Sequence, residues 1–397
     1  MNSQINSLKA YSTLGTLLIS HFLVDFMIGI WLIYKTIAHL DIATMGIIAA
    51  ICVFIGEALQ VFFGTLSDRG YCKILIMSGL IATSICSLIS CTTNYLFLFI
   101  LFQITCLGSS AFHPSAIGFL SNSSGNKKGL WIALFSTSGL LGFACSQIAF
   151  AKVYVHFGSL ASFLMLPTLF LAIFFFFYPF AEYSKKKEKE TLSLKCISEL
   201  FKKPYLTRLY FTQVCNQIVG WATIFLLPDI LKAREAAEWI TFGGGHLLLV
   251  LGGACAMIPS GILADKFSYR KLMLATNTLA ITLFFVFLKF PFISNEFLLV
   301  LLFFIGASSL ITNPLLIAFG NKLYPEEPGK VSGFLMGFAW CIANPIGLAG
   351  GALLTRSFTE DAAAKSLSVL TVFFVTSLIL SYFLPETKKQ TIQQSAG

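Results

Sequence analysis

"GTLSDRGYCK", residues 64–73, closes one long apolar run, and "GILADKFSYR", residues 261–270, closes another. Gly64 matches Gly261, Leu66 matches Leu263, Asp68 matches Asp265, and a basic residue ends both stretches at the same spacing. One charged turn between apolar helices is ordinary. Two in register describe an internal repeat. The echo continues downstream: "FHPSAIGF" (112–119) parallels "TNPLLIAF" (312–319), and Pro114 lies as far from Gly129 as Pro314 from Gly329. The loop has a physical rationale. Asp68 and Asp265 accept hydrogen bonds at a helix N-terminus, while basic residues sit near the preceding helix's C-terminal carbonyls. Such a joint is held in one state and released in another, so Gly64, Asp68, Arg69, Gly261, Asp265 and Lys266 are candidate conformational-switch positions.

Composition says what solvent surrounds the repeat. Of 397 residues, 56% are hydrophobic and 11% charged, against roughly 25% charged in soluble domains. This chain cannot cover a water-facing surface and reads as a polytopic membrane protein. Twelve runs are long enough to cross at about 20 residues each: near 12–34, 42–63, 74–92, 95–120, 129–151 and 159–180, then 205–230, 238–262, 272–290, 296–320, 330–354 and 363–384. Trp31 and Trp239 fall near span ends and are expected as interfacial anchors. The first run is long enough to span and is not followed by a cleavage-site pattern, so it reads as a retained helix.

The net charge of +9 is topological. With both termini inside, the inner segments take most of the 27 Lys and Arg residues, including Lys127, Lys128, the cluster Lys185–Arg208, Lys388 and Lys389. The outer segments take Lys35, Lys152, Lys232, Arg234, Lys289, Arg356 and Lys365. That bias fits the positive-inside rule, places no basic residue deep in the bilayer, and leaves a nucleic-acid partner nothing to explain. The ten cysteines are scattered singly with no ligand spacing, so they read as apolar fillers; no metal and no cofactor are expected. The polar stretch 182–204 divides the chain into a first bundle (1–181) and a second (205–397). The expected fold is an all-α integral membrane protein of twelve transmembrane helices in two pseudo-symmetric six-helix bundles, the organisation of major facilitator transporters.

Further patches go beyond the repeat. "SHFLVD" (20–25), "LQVFFGTLSDR" (59–69), "LGSSAFHPSAIGFLSNSSGNKKGL" (107–130) and "GKVSGFLMGFAW" (329–340) together resemble the fosmidomycin-resistance family of the major facilitator superfamily. That family has H-x-x-x-D in the first span, F-H-P in the fourth and G-x-V-S-G-x-x-x-G opening the eleventh. The resemblance implies a proton-driven exporter, with His21, Asp25 and His113 as candidates for coupling or binding. It also implies that the first, fourth, seventh and tenth spans line a cavity. The chain departs from the pattern in carrying Ser115 and Gly118 where the family has Glu and Arg, and Glu57 where it has a small or apolar residue. Specificity for a particular drug therefore does not carry over.

Ionisable residues inside a membrane are functional candidates because burying them costs a few kcal/mol or more. His21 and Asp25 are spaced i, i+4 and share a helix face; they read as a proton-titrating pair, or as a hydrogen-bonded pair locking the first helix to a neighbour. Glu57 and His113, toward the same end of their spans, read as a second proton relay, a substrate contact or a buried interhelical bond. His246 reads as tuning helix packing. In the seventh span, Gln213, Asn216, Gln217 and Trp221 form one stripe, with Asn313 in the tenth; they read as contacts to a polar substrate or as amide glue between helices. The small-residue runs "GLLG" (139–142) and "NPIGLAGG" (344–351) allow close helix approach. The expected function is secondary active transport of a small organic solute by alternating access, proton-coupled and outward. A proton-coupled importer of an amino acid, nucleoside or sugar is the alternative, and an enzyme is not expected. The expected setting is a multi-pass protein of the bacterial inner membrane, monomeric, with protons, a small solute and lipid as its partners.

Overall fold

A computed structural model describes residues 2–123, 128–177, 194–290 and 294–386. Among these residues it is helical with no strand. Ten stretches are long and apolar enough to cross a bilayer, and two of them, Ile42–Cys91 and Leu130–Phe177, run to 50 and 48 residues. At about 20 residues per crossing each holds two spans, and each is broken where a glycine takes a left-handed conformation: Gly70 (φ 104°) and Gly158 (φ 56°). Twelve crossings result among the described residues, the number the sequence suggests. The first is Ser12–Ile37, the second starts at Ile42 and the fourth is Tyr95–Leu120; the fifth begins at Leu130. The seventh is Pro204–Ala233, the eighth Ile240–Lys266, the tenth Asn295–Leu323, the eleventh Gly329–Ser357 and the twelfth Ala362–Tyr382. Large apolar side chains stand outward along them, among them Phe170, Phe177, Ile258 and Phe285. In water such a surface would aggregate; in lipid it is solvated.

The halves meet along three pairs of spans: first with seventh, second with eleventh, fifth with eighth. Adding six to each number exchanges the last two pairs and returns the first to itself, so the interface obeys the pseudo-two-fold axis of the repeat. Gly46 packs against Ala352 and the Leu348 carbonyl, and Gly243 (φ 118°) packs against the backbone of Gln147 and Ile148. Gly46 and Gly243 are separated by the same offset as Asp68 and Asp265. A Cβ at either position would overlap the opposite half, so equivalent glycines set the closest approach of the bundles.

Several expectations change here. Trp31 is not an interfacial anchor: it is fully buried and stacks on Phe102 at 4.1 Å, because its helical face turns into the first bundle. Of the stretch 182–204, residues to 193 lie outside the described residues, as do Lys127, Lys185 to Lys189 and the tail lysines. The helix Leu194–Phe201 sets Phe201 edge-on to Tyr210 and Phe334, at 5.1 and 4.9 Å.

Asp41 caps the second span, accepting from the Thr44 amide at 2.8 Å and the Thr44 hydroxyl at 2.6 Å. Partial burial works to raise its pKa, but those bonds and Arg356 outweigh it and hold the carboxyl below its usual value. A depressed carboxyl pKa means that the cap persists through the ordinary carboxylate range and is lost only as pH falls through the lowered value. Asp41→Ala is expected to destabilise the protein by about 1 kcal/mol at neutral pH, read as a lowered thermal midpoint in detergent.

Candidate functional site

The structure assembles three of the four candidate coupling residues and separates the fourth. Asp25 sits midway along the first span with one carboxylate oxygen 3.3 Å from His21 Nε2 and the other 3.1 Å from His113 Nε2. The two imidazoles also meet, Nε2 to Nε2 at 3.1 Å. His21 is one turn before Asp25 on the same face; His113 reaches across from the fourth span. Among the described residues no lysine or arginine pairs with Asp25, and the two imidazoles are its partners. The His21 ring is clamped between elements, stacked on Phe135 at 3.9 Å. Asp25 and His113 keep 21% and 28% of their side-chain exposure, so the cluster is reachable.

The opposite ring nitrogens decide the chemistry. His21 Nδ1 donates to the Phe135 carbonyl at 2.7 Å, and His113 Nδ1 to the Ser109 carbonyl at 2.8 Å. A carbonyl only accepts, so both Nδ1 atoms carry hydrogen. In neutral rings both Nε2 atoms would then present lone pairs to each other and to a carboxylate. Three converging acceptors repel, and the arrangement holds together when a cation sits among them. One added proton relieves the conflict: carried on one Nε2, it faces both the carboxylate and the other ring's lone pair, and with Asp25 ionised the cluster has no net charge.

Gly139 makes room for this cluster. A Cβ there would overlap the His21 ring and the Asp25 carboxylate, and one at Gly142 would overlap the Phe22 backbone. The "GLLG" run thus lets the fifth span close on the first, the close approach its small residues suggest. Glu57 is not part of the triad. It accepts from Gln60 at 2.9 Å and lies within electrostatic range of His113, so the pairing expected between Glu57 and His113 gives way to the pairing of His113 with Asp25. His246 bridges the halves, its Nε2 3.0 Å from the Phe143 carbonyl, consistent with a packing role.

In the second bundle the seventh-span stripe divides by helical face. Gln213 donates to Asn313 in the tenth span. Asn216 turns away from the other bundle: its amide donates to the Thr212 carbonyl and to Ser377 of the twelfth span at 2.7 Å, where Asn277 also bonds at 3.1 Å. Asn216 therefore bonds within its own bundle. Gln217 and Trp221 remain partly exposed, and Trp221 meets Phe143 of the fifth span edge-on at 6.2 Å.

At the end of the spans away from the switch loops, the structure places an ion pair that sequence reasoning missed. Lys35, expected as an outer-segment charge, is 1% exposed. Its ammonium pairs with Asp229 of the seventh span, lies 4.5 Å over the Phe225 ring and donates to the Thr36 hydroxyl at 3.2 Å. Thr36 in turn donates to the other Asp229 oxygen at 2.8 Å. Lys232 reaches back to the Thr36 carbonyl at 3.0 Å, and Arg356 pairs with Asp41 at 3.2 Å. All these contacts except the one between Lys35 and Thr36 join one half to the other. Lys35 and Lys232 share the repeat offset, which is the signal that could have drawn attention to them.

At the loop end, Asp265 and Glu327 carry ion pairs on the side of the second bundle. Asp265 accepts from Tyr269 at 3.0 Å and lies 3.7 Å from Lys322, fastening the second switch loop to the tenth span. Lys203 pairs with Glu327 at 2.7 Å. Gly70, just beyond Asp68 and Arg69, makes the sharp turn of the first loop. Gly64 approaches the Pro114 ring. Gly261 has open space around its Cα, and Lys266 is exposed.

A family model described as Major Facilitator Superfamily matches residues 14–348. An uncharacterised MFS-type transporter of Bacillus subtilis, YfnC, is 22% identical over 88% of this chain and 86% of its own length. Among solved structures, a bacterial homologue of the human lysosomal transporter Spinster, inward-facing and unoccupied, superposes with a TM-score of 0.79 at 14% identity, covering 94% of this chain and 96% of that one. The nucleoside transporter NupG superposes at 0.76 and 14% identity, covering 93% and 97%. The repeated six-span halves, the paired loops at Asp68 and Asp265 and the matched model agree: this chain is a transporter, not an enzyme, and belongs to the Major Facilitator Superfamily.

Proposed function

We propose that this transporter is a proton-coupled exporter of a small organic solute, with His21, Asp25 and His113 as the site that takes up and releases the coupling proton. The observation that carries the reading is the convergence of a carboxylate with two ring nitrogens whose opposite Nδ1 atoms are already committed to carbonyls. The cluster demands a cation, and a proton is the smallest. Alternating access supplies the rest: a site loaded from one side and emptied to the other when the bundles rock. The positive-inside bias puts the switch loops and both termini in the cytoplasm, so the Lys35–Asp229 end faces outward and is closed. A solute would then enter between the halves from the cytoplasm, meeting Glu57 on one side and Gln217, Trp221 and the Gln213–Asn313 pair on the other. The resemblance of the first, fourth and eleventh spans to the fosmidomycin-resistance family supports the outward direction. We place the chain as a monomer in a bacterial inner membrane.

The test uses inside-out vesicles energised to an acidic interior and carrying a fluorescent pH probe. Amino acids, sugars, nucleosides, phosphonates and hydrophobic cations are added singly. Export by antiport predicts that one class alkalinises the lumen. If no class does so, and right-side-out vesicles instead accumulate one of them at the expense of the proton gradient, the transporter is an importer.

A further inference from the structure

The same three side chains have a second chemistry. We propose that His21, Asp25 and His113 form a binding site for a first-row divalent transition-metal cation of the zinc or cobalt type, occupied in exchange for the proton. The inference deepens the reading above, since it uses the same site, but it stands on coordination geometry and needs no transport.

Each residue offers one ligating atom, and the three atoms lie within 4.8 Å of one another. The Nε2–Nε2 separation is 3.1 Å. Two imidazoles on a tetrahedral ion at about 2.0–2.1 Å stand roughly 3.3 Å apart, so the pair is spaced as an ion would hold it. The carboxylate completes the set, one oxygen 3.3 Å from the first ring and the other 3.1 Å from the second. Imidazole and carboxylate together suit zinc, cobalt and nickel.

The outer contacts of the rings also match a metal site. Ligating histidines almost always donate their other N–H to a carbonyl or carboxylate, which fixes the tautomer and aims the lone pair. Both rings do this, through the Phe135 and Ser109 carbonyls, and the Ser109 hydroxyl lies 3.1 Å from His113 Nδ1 as well. No competing lysine or arginine pairs with Asp25 among the described residues, and Asp25 and His113 keep part of their side-chain exposure. Metal ligands must be unprotonated, so metal and coupling proton exclude each other: binding releases protons, and bound metal blocks the coupling site.

The experiment uses the full-length protein, purified in detergent, with Zn²⁺ in calorimetry and Co²⁺ in visible absorption, and no gradient. The expected result is one equivalent bound with proton release, an affinity that weakens as pH is lowered, and d–d bands of a four- or five-coordinate cobalt ion. Asp25→Asn and His113→Gln abolish the bands, while His156→Gln, at an exposed histidine outside the cluster, leaves them. X-ray absorption of the wild-type zinc form counts two imidazoles, which decides the matter even where a variant folds poorly. Absence of binding, binding that survives both cluster substitutions, or fewer than two imidazoles on the metal overturns the proposal. The proton reading is judged separately in vesicles: metal binding can fail while Asp25→Asn still abolishes proton coupling, and the reverse can also occur.

Discussion

Asp25→Asn is expected to reduce proton-driven transport to the rate of empty vesicles while leaving exchange of solute for solute, at equal pH on both sides, measurable. The argument lies in hydrogen-bond accounting. The wild-type cluster holds a carboxylate and two Nε2 lone pairs, and needs a proton to bring them together. An asparagine amide is nearly the same size and carries two hydrogens of its own. Its nitrogen can donate to one imidazole directly, and without the carboxylate's charge the cluster no longer holds an added proton. The helices stay packed and the protein should still fold and bind solute, but the cycle no longer requires protonation. Uptake of the compound found in the vesicle screen, measured with and without a pH gradient, separates these outcomes. Gradient-driven transport that survives in Asp25→Asn would return His21, Asp25 and His113 to the role of structural glue between the first, fourth and fifth spans.

Breaking the Lys35–Asp229 pair is expected to produce the largest loss of stability. Lys35 is fully enclosed, and its Asp229 partner keeps 11% of its side-chain exposure. Removing one member leaves the other buried and uncompensated, which costs about 3–5 kcal/mol. Lys35→Ala and Asp229→Ala should each lower the thermal midpoint sharply. The apolar pair Lys35→Met with Asp229→Leu should recover most of that loss, because buried ion pairs are often no better than well-packed hydrophobic residues of similar volume. Stability and function then part company. The apolar double variant keeps its fold but has lost the directional contact that joins the halves, together with the bond from the Thr36 hydroxyl to Asp229. Its outer end should open more readily, so that a cysteine placed at Leu348, whose carbonyl faces Gly46, reacts faster with a membrane-impermeant thiol reagent added from outside. An unchanged labelling rate would show that the glycine contacts alone keep this end shut.

Much of the architecture was legible because membrane helices announce themselves by length and apolar content, and repeats by punctuation. The loops at Asp68 and Asp265 carried the fold assignment. His21 and Asp25 were legible for the same reason: two ionisable residues one turn apart in an apolar run have few bland explanations. What could not be read was rotation. Helical residues turn by 100° at each step, so depth in the membrane does not say which neighbour a side chain faces. His113 and Glu57 lie at similar depths and were matched on that ground, whereas the fourth span turns His113 onto Asp25 instead. Rotation also buries Trp31 in its own bundle and points Asn216 at Ser377. Lys35 was hidden by a sound rule, since a lysine near a span end usually snorkels to water; its partner Asp229 comes from the other half of the chain. The repeat offset linking Gly46 to Gly243 stood in the sequence, but a lone glycine has no meaning until the opposing backbone is in view.

The most direct test of the account counts protons. Wild type and Asp25→Asn are reconstituted at matched density into vesicles that enclose a pH-sensitive dye, with no initial gradient, and the compound identified in the vesicle screen is added on one side. The account predicts that solute movement through the wild type drives protons the opposite way and that Asp25→Asn carries solute with no proton signal. Equal proton signals from the two proteins would contradict it and move the coupling site away from His21, Asp25 and His113.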